Sequence, residues 1–138
     1  MTATYVDSSV LLRIALGEAN PLTGFDRLAP ISSALLRIEC LRAIERYRLM
    51  SAIDDEAVTE RRQAVLELMS GFRLVDLTAT VLERAADPFP TYVATLDAIH
   101  LATAIEARAD IGVLTFATHD LKLASAARAV GFQVAGDA

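Results

Sequence analysis

Thr4-Tyr5-Val6-Asp7-Ser8-Ser9-Val10-Leu11-Leu12-Arg13-Ile14-Ala15-Leu16-Gly17 is the stretch that decides the fold class. Its first three residues are β-branched or aromatic and suit an extended strand. Asp7-Ser8-Ser9 follows at once. Short oxygen-bearing side chains accept hydrogen bonds from the free N–H groups of a first helical turn, so these three residues read as a helix start. Residues 10–16 are then helical and apolar, and Gly17 is the stop. A strand that runs straight into a helix is the opening half of a βαβ unit.

The same alternation continues outward. Residues 21–28 are a polar connection with room for one helical turn, and Pro30-Ile31-Ser32 is a short strand. Residues 33 to about 50 form the longest helix, with Leu36, Cys40, Ala43, Tyr47 and Met50 as one apolar stripe. Residues 54–69 form a second helix, opened by Asp54, Asp55 and Glu56 and ended by Gly71. Phe72-Arg73-Leu74-Val75 is a strand, 78–86 a short helix, and Asp87-Pro88-Phe89-Pro90 a loop, because proline restricts itself and its predecessor. Residues 95–109 are nearly all Ala, Leu or Ile and predict a helix buried on most sides. Ile111-Gly112-Val113-Leu114-Thr115 reads as a strand, 118–129 as a helix stopped by Gly131, and Phe132-Gln133-Val134 as the last strand. The pattern predicts an α/β fold: one domain over residues 1–138, a short, mainly parallel β-sheet flanked by α-helices. In such sheets ligands bind beyond the carboxyl ends of the strands, where the strand order reverses.

Composition sets outer bounds. The 138 residues make one domain, and 54% hydrophobic with 22% charged excludes intrinsic disorder. Thirteen basic residues face 18 acidic ones, for a net charge of −5. That argues against nonspecific electrostatic binding to nucleic acid or an anionic membrane. A nucleic acid held through metal ions or a local basic patch remains compatible. The single Cys40 excludes an intrachain disulfide and a multi-thiolate zinc site, and its neighbours Leu36, Leu41 and Ala43 make it a small core hydrophobe. The N-terminus lacks a basic stretch, Asp7 interrupts its apolar run, and no run reaches the ~18 residues of a membrane span. The expected compartment is the cytoplasm, with no membrane partner.

Four carboxylates stand out. Asp7 follows the first strand, and Asp97 and Asp120 each lie two residues after a threonine at a helix start. Each has an ordinary explanation, a cap for Asp7 and a partner of the helix dipole for Asp97 and Asp120. Glu39 borders the apolar stripe of the long helix, where a bond to Arg42 or Arg46 would explain it. Together the ordinary explanations weaken, because a parallel sheet brings these places to one edge. Four carboxylates in one cleft repel one another unless cations or protons compensate. Oxygen-only ligands favour Mg²⁺ or Mn²⁺, and such ions work on phosphate-bearing substrates. The chemistry this implies is hydrolysis of a phosphate ester by a metal-activated water.

Tyr5-Val6-Asp7-Ser8-Ser9, Glu39, Thr95-Leu96-Asp97-Ala98-Ile99-His100-Leu101-Ala102-Thr103-Ala104 and Thr118-His119-Asp120 occur in the order seen in PIN-domain ribonucleases. The chain resembles the toxin of a VapBC-type toxin–antitoxin pair over its whole length. The segment around Asp97 is its most specific part. The resemblance implies that Asp7 and Asp97 are the principal metal ligands and that Glu39 and Asp120 complete the cluster. The Thr118 hydroxyl, with Ser8 as a second candidate, would hold a water or a carboxylate. The substrate would be RNA, cut by water to leave a 5′-phosphate, without a covalent intermediate. A small antitoxin protein and a homodimer are the implied partners.

Two other readings are weaker. A phosphatase or receiver-type domain would place a phosphoryl group on Asp7. Ser9 stands where a haloacid-dehalogenase-like phosphatase needs a second Asp, and Lys122 lies inside a helix rather than after a strand. A non-catalytic protein of the same fold would not need all four acids. His100 reads as a satisfied, partly buried histidine and His119 as an exposed helix-start residue. No H-E-x-x-H, glycine-rich phosphate loop or G-x-S-x-G elbow occurs.

Overall fold

A computed structural model describes residues 1–50 and 53–137. The expected unit of 1–138 therefore includes three residues, 51, 52 and 138, that lie outside the described part. In chain order the elements are β1 (Thr2–Val6), α1 (Ser8–Ala15), a 3-10 turn (Phe25–Arg27), β2 (Leu28–Ser33), α2 (Leu36–Leu49), α3 (Asp55–Met69), β3 (Arg73–Val75), α4 (Ala79–Ala86), α5 (Thr95–Ile111), β4 (Thr115–Ala117), α6 (Leu121–Ala129) and β5 (Val134–Ala135). All five strands are parallel, in the order β3-β2-β1-β4-β5.

Alternation along the strands divides the core. Tyr5 stands level with Ile31 and with Phe116, and these three pack with Leu101 and Ala104 of α5 and Leu123 and Ala127 of α6. One residue on, Val6 and Ala117 turn to the opposite face and meet Val10 of α1. A third cluster joins α1, α2 and α3 through Leu11, Leu36, Cys40, Ile44 and Val65. Because α5 presses on the sheet, its buried side includes Ala98, Leu101, Ala102, Ala104 and Ala107, as its small-residue composition requires. One flank still reaches solvent at Leu96.

Five expectations need correction. The strand expected at 111–115 is β4 at Thr115–Ala117, because α5 runs on to Ile111 and turns out at Gly112 with φ +95°. The β-favouring Val113 lies in that return and is 84% exposed. The last strand begins two residues later than expected, since Phe132 is spent on the core. The helix expected from residue 118 starts at Leu121, with Asp120 itself as the cap, and the long helix begins only at Leu36 because Ser33 still belongs to β2. Its buried stripe is Leu36, Cys40, Leu41 and Ile44 rather than one reaching Tyr47 and Met50, which are 38% and 66% exposed. The helix projects past the core at its C-terminal end. Among the described residues no helix is long and apolar enough to cross a membrane.

Candidate active site

From the central strand β1 the chain moves to β2 and β3 on one side and returns to β4 and β5 on the other. The carboxyl ends of β1 and β4 therefore flank the switch point. Asp7 leaves β1 there, and its N–H donates to Ala117 O of β4 at 3.2 Å. Its side chain is nearly enclosed, at 4% exposure.

Two hydroxyls hold it. Ser9 Oγ donates to Asp7 Oδ1 at 2.6 Å and Thr118 Oγ1 donates to Oδ2 at 2.9 Å. Each hydroxyl also accepts a backbone N–H from the turn after β4: His119 N to Ser9 Oγ at 2.9 Å, and Asp120 N to Thr118 Oγ1 at 3.0 Å. An N–H can only donate, so each hydroxyl proton is directed onto the carboxylate. Asp7 Oδ1 further accepts Ser9 N at 3.0 Å and caps α1. The residue beside Thr118 in this clamp is Ser9, not Ser8. The signal was present in the sequence, since position i+2 from an Asp is the normal partner of an Asx turn.

Glu39, in the first turn of α2, is held from below. Its Oε1 lies 2.5 Å from His100 Nε2, and His100 Nδ1 lies 2.6 Å from the Tyr5 hydroxyl. Burial pushes the Tyr5 hydroxyl pKa far up, so it stays protonated. With Tyr5 donating to Nδ1, Nε2–H donates to Glu39, and every group in the chain is paired. Glu39 thus pairs with a buried histidine, not with Arg42 or Arg46. His100 is buried and satisfied, as expected, but it serves a candidate site residue. It sits one turn from Asp97 on the same face of α5.

Asp97, in the first turn of α5, is half-buried. Its helix follows α4 and a loop rather than a strand, yet it lies near enough to the other acids to feel their charges. Burial raises its pKa above the ordinary value first, and the charges of Asp120, Asp7 and Glu39 add to the rise. Burial likewise raises the Asp7 pKa, against the lowering effect of Ser9 and Thr118. Asp120 is exposed and caps α6, accepting Lys122 N at 2.9 Å and Leu123 N at 3.2 Å. It is thus the cap before the helix rather than a dipole partner within its first turn, and its charge is felt by Asp97. His119, expected exposed, is partly buried, with Nδ1 2.6 Å from Gly136 O. Cys40 is fully buried and its thiol pKa is pushed up to about 12, which fits an inert core residue.

The cluster offers oxygen donors only, and burial raises the pKa of two of its carboxyls, Asp7 and Asp97. That donor set fits a hard cation. Among the described residues, no three of His, Cys, Asp or Glu are grouped closely enough to clasp an ion by themselves.

The PIN domain family profile matches residues 4–129. The chain belongs to the PIN-domain family. Within it, this PIN domain is similar to two proteins of Mycobacterium tuberculosis. It is 32% identical to Ribonuclease VapC46, covering 97% of both chains, and 30% identical to Ribonuclease VapC47, covering 95% and 94%. These relatives place it on the VapC toxin branch. Two solved structures share the PIN fold at a TM-score of 0.60. One is a toxin–antitoxin complex from Klebsiella pneumoniae, 18% identical and covering 92% of this chain and 94% of that one. The other is PAE2754 from Pyrobaculum aerophilum, 15% identical and covering 99% and 85%.

Proposed function

We propose that this PIN domain, residues 1–138, is a divalent-metal-dependent endoribonuclease that acts in the cytoplasm as the toxin of a VapBC-type pair. What supports this is Asp7 at the carboxyl ends of β1 and β4, with Asp97 near enough to feel the charges of Asp120, Asp7 and Glu39, in a chain whose relatives are named ribonucleases.

Asp7, Asp97, Glu39 and Asp120 would hold Mg²⁺ or Mn²⁺, with Asp7 and Asp97 as the principal ligands. Such an ion, which commonly keeps several waters, would neutralise phosphate charge and make a water more acidic at neutral pH. Ser9 and Thr118 fix both Asp7 oxygens before substrate arrives, so no reorganisation is needed at the moment of reaction. His100 and Tyr5 orient Glu39 from the core. Water attacks the phosphodiester and a 5′-phosphate is left. A small antitoxin protein and a homodimer complete the proposal. The aspartyl-phosphate alternative is the weaker reading, because Ser9 stands where a second Asp is needed and Lys122 lies within α6.

Purified protein is expected to cut RNA with Mg²⁺ or Mn²⁺ and to stop with EDTA. Induction in cells, with mapping of RNA 5′ ends, is expected to give discrete cuts that Asp7→Asn abolishes. Full cleavage by Asp7→Asn or Asp97→Asn would remove the site assignment.

A further inference from the structure

Beside Asp97 lies a small pocket, about 110 Å³, between residues 92–94 and the start of α6. Val93, Leu123 and Ala126 line it with Asp97, while Tyr92 and Lys122 are solvent-exposed at its rim. Tyr92 is 93% exposed, and among the described residues it makes no side-chain hydrogen bond or ring contact. A lone exposed aromatic needs no explanation. One that shares a pocket with a member of the acid cluster does. Lys122 is the only lysine in the chain, two residues past Asp120, and no salt bridge among the described residues engages it.

We propose that this pocket receives the nucleotide next to the scissile phosphate of an RNA strand, with its base against the Tyr92 ring and a phosphate beside the Lys122 ammonium. The inference rests on the ribonuclease reading and specifies how that site takes its substrate. Three properties select a nucleotide. The pocket is far below the ~300–1,000 Å³ of a site for an extended small molecule, and suits one ring. An unpaired cation at the edge of an anionic cluster suits a phosphate, which the acids alone would repel. A single free aromatic face suits one stacked base, whereas the absence of Trp and the 6% aromatic content give no extended platform. Because Asp97 is shared by pocket and cluster, a base held there sets which phosphate reaches the acids.

The test combines protein and RNA changes. Tyr92→Ala is expected to weaken single-stranded RNA binding and lower kcat/KM about tenfold, the usual cost of losing a stacked base. Tyr92→Phe, which keeps the ring, should recover most of that loss. An RNA lacking the base beside its mapped cleavage point should lose a similar factor with wild type and little more with Tyr92→Ala, because partners in one contact are not additive. Lys122→Ala should weaken binding and lower the salt dependence by about 0.7 of a phosphate-contact slope unit. Unchanged Tm values would show that both variants fold. Wild type that cuts RNA while Tyr92→Ala cuts it equally well, or fully additive losses with the base-free RNA, would overturn the subsite alone. Wild type that neither binds nor cuts RNA would overturn the ribonuclease reading and the subsite with it.

Discussion

Each oxygen of Asp7 is held by a hydroxyl that a backbone N–H holds in turn, so Asp7 depends on Thr118 as much as on its own strand. Thr118→Val removes the proton on Oδ2 and leaves Asp120 N without its acceptor. It is expected to cost about 1–3 kcal/mol in urea unfolding and at least tenfold in RNA cleavage. Ser9→Ala should behave alike, while Ser8→Ala should leave cleavage within about twofold; the reverse order would mean that the clamp is misassigned. Burial raises the Asp7 pKa above its unfolded value of 3.8, so the folded chain binds more protons than the unfolded one between those two values. Without divalent ions, the charge on Asp7 therefore costs stability as pH rises through this window. Asp7→Asn should match wild type in Tm near pH 4 and gain on it as pH rises, while losing activity. A variant less stable than wild type at pH 7 would contradict this.

At the scale of elements, helix termini carry most of the site. Asp7, Asp54, Thr78 and Asp120 all cap helices with their side chains, and of these the sequence reading gives only Asp7 as a cap. What could not be read was double use. Asp120 caps α6 and also raises the Asp97 pKa. Asp120→Ala should cost about 1 kcal/mol of stability, whereas Asp120→Asn keeps the cap. Both are expected to lower cleavage at least tenfold; an Asn variant with normal cleavage would make Asp120 a cap only. Strand ends were less legible. Ile111-Gly112-Val113-Leu114-Thr115 has the composition of a strand, but the register of β4 against β1 puts Thr115 level with Thr4, which leaves 112–114 as the return from α5. The exposed C-terminal end of α2 defeated the stripe for a similar reason, since periodicity does not say where the core stops.

For the whole molecule, the four acids account for four of the five net negative charges. The acidic balance thus limits how RNA could be held and does not oppose RNA as a substrate. A bound cation would reverse the local field that a phosphate meets. It should also stabilise the fold, by about 2.7 kcal/mol at a hundredfold excess over its Kd. Mn²⁺ is expected to raise the Tm of wild type by several degrees and to do so much less for Asp7→Asn and Asp97→Asn. Equal shifts in all three would place the ion elsewhere.

The sequence by itself determined the α/β alternation, the Asp7 cap and the four acids, because these depend on local periodicity and residue chemistry. Only the tertiary structure decided that Ser9 rather than Ser8 holds Asp7, that Glu39 pairs with buried His100, and that Asp97 joins the others although no strand precedes its helix. Those contacts link positions far apart in the chain. Parallel pairing of β1 with β4 and the packing of α5 on the sheet create them, and neither leaves a local trace.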